Sequence, residues 1–155
     1  MATFKCLSVS QPFAELIVSG KKTIELRSWD TRYRGEFLVH SPLKIRSEDC
    51  KRLGINEGSL AVGAIVGKAV IYDVKIYKNQ RDWHADQKYH LAGPEFSSSK
   101  YGFLLKNAKK FSAPIPHKGK LGFFDVDIRD ATLRDNDIKA DIFDEEYRTQ
   151  WISRH

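Results

Sequence analysis

Apolar and polar residues alternate from Phe4 to Val9 in a stretch rich in strand formers, and the pattern predicts a short first strand. The period then changes. Phe13, Leu16 and Ile17, flanked by Ala14 and Val18, make one apolar face at helical spacing. Ser10 offers an N-cap oxygen ahead of them, Pro12 suits the first turn, and Gly20 supplies the stop beside Lys21 and Lys22. From Thr23 to Arg27 the alternation returns. It predicts a strand with Ile24 and Leu26 turned inward and Glu25 and Arg27 together on the opposite face. An aromatic and basic loop, Trp29 to Gly35, leads into a strand from Glu36 to His40 that Pro42 ends. Ser47, Glu48 and Asp49 then open a short helix closed by Gly54.

Ser59 to Tyr77 is long, β-branched and interrupted by Gly63 and Gly67, as suits a bent strand of a small barrel. Residues 78–99 are polar and serine-rich and read as an excursion holding one short helix. Tyr101 to Leu105 and Phe111 form the next strand region. Pro114-Ile115-Pro116 is extended, because each proline restricts its predecessor. Lys118-Gly119-Lys120 turns into a last strand from Phe123 to Ile128. A terminal helix is expected from Asp141 to Ile152, with Phe143, Tyr147 and Trp151 four apart on one stripe. Together these elements predict an α+β fold: a small curved β-barrel of about six strands with two or three flanking helices. One domain over residues 1–128 carries it, and 129–155 is an acidic extension expected to pack on the same domain as a helix.

Length and composition agree with one globular unit. The chain has 155 residues, 41% hydrophobic and 30% charged, neither disordered nor repetitive in composition. No apolar run approaches the roughly 18 residues of a membrane span, and the N-terminus lacks the pattern of a signal peptide. A soluble, cytoplasmic protein with no membrane partner is the expectation. Cys6 and Cys50 are too few for a disulfide framework. His84 and His90 stand apart from any zinc-ligand pattern, so no metal and no cofactor is expected. Charge is more informative. Residues 121–155 carry five basic against nine acidic side chains, a net of −4, which leaves 21 against 11, a net of +10, on the first 120. A basic body with an acidic tail fits a polyanionic partner.

Residues 8–41 hold the unusual chemistry. A helix start, a helix end and two strand ends there can converge on one cleft holding the amide Gln11, the cations Lys22 and Arg27, the carboxylate Glu25 and the aromatics Trp29 and Tyr33. Cations suit phosphate, aromatic faces suit base stacking, and an amide or carboxylate suits a base edge. Ser28, Arg34, His40 and, from the later turn, Lys118 complete the candidate set. Plainer roles stand beside these. Lys22 and Arg27 suit a solvated strand face, Glu25 an ion pair with either, Trp29 core packing, His40 a structural hydrogen bond, and Lys118-Gly119 a simple turn.

Several motifs are also those of a family. Gln11-Pro12 in a Ser-x-x-Gln-Pro-aromatic setting, Gly20-x-Lys22-x-x-Glu25-x-Arg27-Ser28-Trp29 and Tyr33-Arg34-Gly35 resemble the ASCH domain, named for activating signal cointegrator homology. The resemblance continues through Leu60 to Val74, Tyr101-Gly102-Phe103-Leu104-Leu105 and Pro114-Ile115-Pro116-x-Lys118-Gly119, and so spans most of residues 4–128. It implies a PUA-like barrel with a cleft for RNA or a modified nucleotide, DNA being open as well. Some members look like binding modules of transcription coactivators; others are small enzymes, an amidohydrolase of acetylcytidine or a ribonuclease. In the amidohydrolase branch Lys22 matches a catalytic lysine and Arg27 an arginine, while Glu25 stands where that branch has its threonine nucleophile. A carboxylate there directs water rather than attacking itself. The branch's second carboxylate falls in the excursion, near Glu95. Two functions are therefore carried forward: binding of RNA or a nucleotide, and hydrolysis of a nucleic-acid derivative with Lys22 and Glu25 as the catalytic pair.

Overall fold

The computed structural model describes residues 2–93, 96 and 100–129. Its strands are β1 (Ala2–Ser8), β2 (Ile24–Arg27), β3 (Gly35–Ser41), β4 (Ala64–Ile76), β5 (Tyr101–Pro116) and β6 (Phe123–Ile128). Four short helices lie between them: α1 (Phe13–Val18), α2 (Ser47–Leu53), α3 (Gln80–Ala85) and α4 (Gln87–His90). The α+β class and the number of strands are as expected. The excursion after β4 holds two short helices where one was expected, so the described residues contain four α-helices, besides a single 3-10 turn at Glu57–Ser59. The terminal helix, the acidic extension beyond Arg129 and Glu95 lie outside the described residues.

The strands form one sheet in the order β2-β5-β4-β3-β1-β6. Only β1 and β3 run parallel, with α1 in the connection between them; the other pairs are antiparallel. The ladder begins at β2 and ends at β6, so hydrogen bonds do not close the sheet into the expected barrel. Side chains meet across the open seam instead. Phe103 of β5 stacks on Phe123 of β6 with ring centroids 6.2 Å apart, and Trp29 meets both rings edge-on at 5.3 and 5.9 Å. The sheet is thus curled until its ends touch through aromatic rings, whose contacts need no backbone register.

Both faces of the curl are apolar, because β1 and β3 are apolar at successive positions rather than at alternate ones. Leu7, Phe37, Val39, Ala69, Ile71 and Phe103 pack with α1, while Cys6, Leu38, Ile65, Phe111, Phe124 and Val126 form a second cluster. Each such Leu, Ile, Val or Phe contributes about 1.5–3 kcal/mol on burial. Gly67 decides where α1 sits. A Cβ there would overlap the Lys109 carbonyl oxygen and come within 2.6 Å of Val18 Cγ1, so helix and sheet approach at a point that admits no side chain.

The start of α1 differs from the expectation. Ser10 supplies no side-chain cap; its carbonyl accepts from the Phe13 amide, and the Gln11 side chain accepts from the Glu15 amide at 2.9 Å. After β4, Trp83, His90 and Tyr77 are buried, so the excursion is a packed cover rather than a polar loop. It is tied to the chain before β2 by the Thr23 amide, which donates to the Tyr89 carbonyl at 3.0 Å. Cys6 and Cys50 are buried free thiols. No helix among the described residues is long and apolar enough to cross a membrane.

Candidate functional site

The residues of β2 predicted to share a face do so, but that face is covered. Glu25 is only 6% exposed and Lys22 only 3%. Lys22 Nζ donates to the His90 carbonyl of α4, lies 3.5 Å from Glu25 Oε1, and sits over the Phe13 ring at 4.8 Å. Burial pushes the Lys22 ammonium below its ordinary pKa, and the Glu25 charge opposes that shift only in part. On the other side of the carboxylate, Arg27 approaches Glu25 Oε2 with Nε at 3.0 Å and Nη2 at 2.8 Å. The same Nη2 donates to the Ser8 carbonyl at 2.6 Å. Glu25 is therefore a buried bracket between a hidden lysine and an arginine that reaches a groove.

That groove is open, about 930 Å³ in volume, and forms where the ends of β1, β2 and β3 face the loop between β5 and β6. Ser8, Ser10, Arg27 and His40 line its inner side; His117, Lys118, Gly119 and Lys120 line the loop side; Leu43 and Leu121 stand exposed at its lips. Among the described residues no carboxylate lines it, whereas Arg27, Lys118 and Lys120 do. His40 follows a break in the ladder, since the β3–β4 register shifts between Val39 and His40. Its Nδ1 lies 2.9 Å from Ser8 Oγ and its Nε2 2.7 Å from the His117 carbonyl oxygen. Burial holds the imidazole below its ordinary pKa, so the neutral form is favoured.

The predicted residues divide into groups. Arg27, His40 and Lys118 meet at the groove, and Lys22 and Glu25 lie behind it in contact with Arg27. Gln11 is fully buried, with Nε2 donating to the Ala61 carbonyl at 2.9 Å and its oxygen taken by the Glu15 amide. Trp29 belongs to the aromatic seam. Tyr33 leans on Phe123 at 5.3 Å and donates its hydroxyl to the Glu36 carbonyl. Arg34 bonds the Thr31 and Tyr33 carbonyls and faces Asp73 at 3.7 Å, and Ser28 is exposed; neither lines the groove. Ser8, His117 and Lys120 were not among the predicted residues. Ser8 opens the Ser-x-x-Gln-Pro motif and Lys120 follows Lys118-Gly119, but their meeting depends on contacts across the fold. Among the described residues, no group of three or more His, Cys, Asp or Glu is placed to hold a metal ion.

The sequence model of the ASCH domain matches residues 7–115. The chain belongs to the ASCH domain family. Solved structures agree in fold: the crystal structure of ASCH from Zymomonas mobilis matches with a TM-score of 0.58 at 16% identity, covering 84% of this chain and 90% of that one. A tyrosine-to-phenylalanine variant of the same bacterial protein matches with a TM-score of 0.58 at 16% identity, covering 84% of this chain and 94% of the other. No curated protein matches the sequence. In this ASCH domain the family match runs from the end of β1 through most of β5, and hence takes in both the buried Lys22–Glu25–Arg27 chain and the inner wall of the groove.

Proposed function

We propose that this ASCH domain binds RNA, or a nucleotide within it, through the groove between the strand ends and the 117–122 loop. One observation carries the reading: among the described residues, every Lys, Arg, Asp or Glu side chain lining a groove of nucleotide size is a cation. Arg27 is the fixed member, because Glu25 and the Ser8 carbonyl orient its guanidinium before any ligand arrives, which lowers the entropy lost on binding. Lys118 and Lys120 are exposed on the loop and supply charge without fixed geometry. Leu43 and Leu121 give the lips an apolar character suited to the face of a base. Trp29 and Tyr33 are better explained as seam packing than as stacking platforms.

The test is a salt series of filter binding with single-stranded RNA and with DNA of the same sequence. For single strands the slope of log K against log salt is about −0.7 per neutralised phosphate. Lys118→Ala combined with Lys120→Ala should weaken retention and reduce the slope by about 1.4. An unchanged slope removes the loop cations from the interface. Equal retention of RNA and DNA assigns recognition to phosphate rather than to the ribose hydroxyl.

A hydrolytic reading rests on a different observation, a buried lysine with lowered proton affinity beside a carboxylate. In it Lys22 stabilises or activates the reacting group and Glu25 directs water. Incubation with acetylcytidine and with short RNA tests it directly, and absence of turnover of either rejects it.

A further inference from the structure

We propose that Ser8 is a nucleophile, activated by His40, for cleaving carboxylic esters carried by phosphate-bearing molecules. The argument starts with a tautomer. A carbonyl oxygen only accepts, so the 2.7 Å contact of His40 Nε2 with the His117 carbonyl places the ring proton on Nε2. Nδ1 is then a bare lone pair, and Ser8 Oγ lies 2.9 Å from it as donor. This is the arrangement of an activated hydroxyl: nucleophile, base, and a third group that orients the base. Burial keeps the imidazole neutral and able to accept a proton.

Three further features place the pair in a reactive setting. Ser8 and His40 both line the groove, an open space that a substrate can enter. Arg27 is bonded to the Ser8 carbonyl at 2.6 Å and brings a fixed positive charge beside the nucleophile. Gly119 lies over the pair so closely that a Cβ would come 2.5 Å from Ser8 Oγ and 2.7 Å from His40 Cε1. The loop thus shelters the dyad on one side and leaves the groove as the approach. Arg27, Lys118 and Lys120 select a substrate with phosphate charge.

The chemistry balances without a cofactor. Ser8 Oγ bonds to the ester carbonyl carbon as its proton passes to His40 Nδ1. The carbon–oxygen bond to the alcohol then breaks, and His40 returns the proton to the departing alkoxide. Water attacks the acyl-serine, gives one proton to His40, and releases the carboxylic acid as that proton restores the Ser8 hydroxyl. The net reaction is ester plus water to acid plus alcohol.

A fluorophosphonate probe tests the first step on the full chain: Oγ bonds to phosphorus, fluoride leaves, and the proton leaves through His40. Mass spectrometry should find one label per molecule, on the peptide containing Ser8, and none after urea denaturation. His40→Gln should slow labelling by about a hundredfold or more. The charged and titratable groups facing His40 are His117 and, along the groove, Arg27, Lys118 and Lys120. Burial holds the His40 imidazole below its ordinary value of 6.5, so labelling should fall only below that pH. With 2′(3′)-O-acetyl-AMP and 2′(3′)-O-acetyladenosine as substrates, the phosphorylated ester should be cleaved faster. Folded wild-type protein that takes no label at Ser8 overturns the inference, as does equal labelling of native and denatured chains. Equal cleavage of the two esters overturns the substrate class. RNA retention, measured on the same wild-type protein, is a separate readout: retention without labelling defeats this inference alone, and labelling without retention defeats the binding reading alone.

Discussion

Glu25 shows how much a single buried side chain decides. Two cations lean on it from opposite sides, one of them fully hidden, and the carboxylate itself is almost sealed from water. Removing one member of such a buried set leaves the others uncompensated, which costs about 3–5 kcal/mol, against at most about 1 kcal/mol for an exposed pair. Glu25→Gln keeps the shape and removes the charge, so urea denaturation should show a loss in the first range. A loss below about 1 kcal/mol would place Glu25 with ordinary surface ion pairs. The pairing was legible in the sequence because it is local: Glu25 and Arg27 stand two apart on a strand, and Lys22 is three residues before Glu25. The burial was not. It comes from α4, whose His90 carbonyl caps Lys22 from 68 positions away.

At the scale of elements, the docking of α1 on β4 depends on Gly67, where Val18 and the Lys109 backbone leave no room for a Cβ. Gly67→Ala must push the helix or the neighbouring strand outward, and overpacking of that kind costs about 1–3 kcal/mol. Gly93 gives the control, since among the described residues nothing lies within 4 Å of a Cβ built there. Thermal melts should therefore show a clear drop for Gly67→Ala and little change for Gly93→Ala; equal effects would refute the close-approach account. Most strands could be read from alternation alone, and β6 matches its expected limits from Phe123 to Ile128. β5 is instructive where the reading broke it up. It runs unbroken for 16 residues, but Asn107 adopts φ 51 and the register with β4 shifts repeatedly, so the two-residue period is lost in its middle. The seam between β5 and β6 was equally invisible, because ring contacts across a curl leave no periodic trace in the chain.

For the molecule as a whole, the groove was half legible for the same reason. Arg27, His40 and Lys118 could be nominated one by one, but Ser8 meets His40 across 32 positions and His40 meets His117 across 77. Only the curl of the sheet assembles them. Net charge is a property of the whole chain, and it yields a last prediction that needs no detail of the C-terminal structure. Residues 130–155 carry four basic and seven acidic side chains, a net of −3, so a chain ending at residue 129 rises from +6 to +9. If the segment acts on RNA only through its field, the shortened chain should associate faster with RNA at about 20 mM salt, where the Debye length is roughly 20 Å. The gain should shrink as salt rises and vanish near 1 M, where screening reaches about 3 Å. A gain that persists at high salt would mean that the acidic segment occupies the groove itself, competing with RNA by contact rather than by charge. Stopped-flow association rates across the salt series separate the two, because a field alters the approach and a bound competitor must first leave.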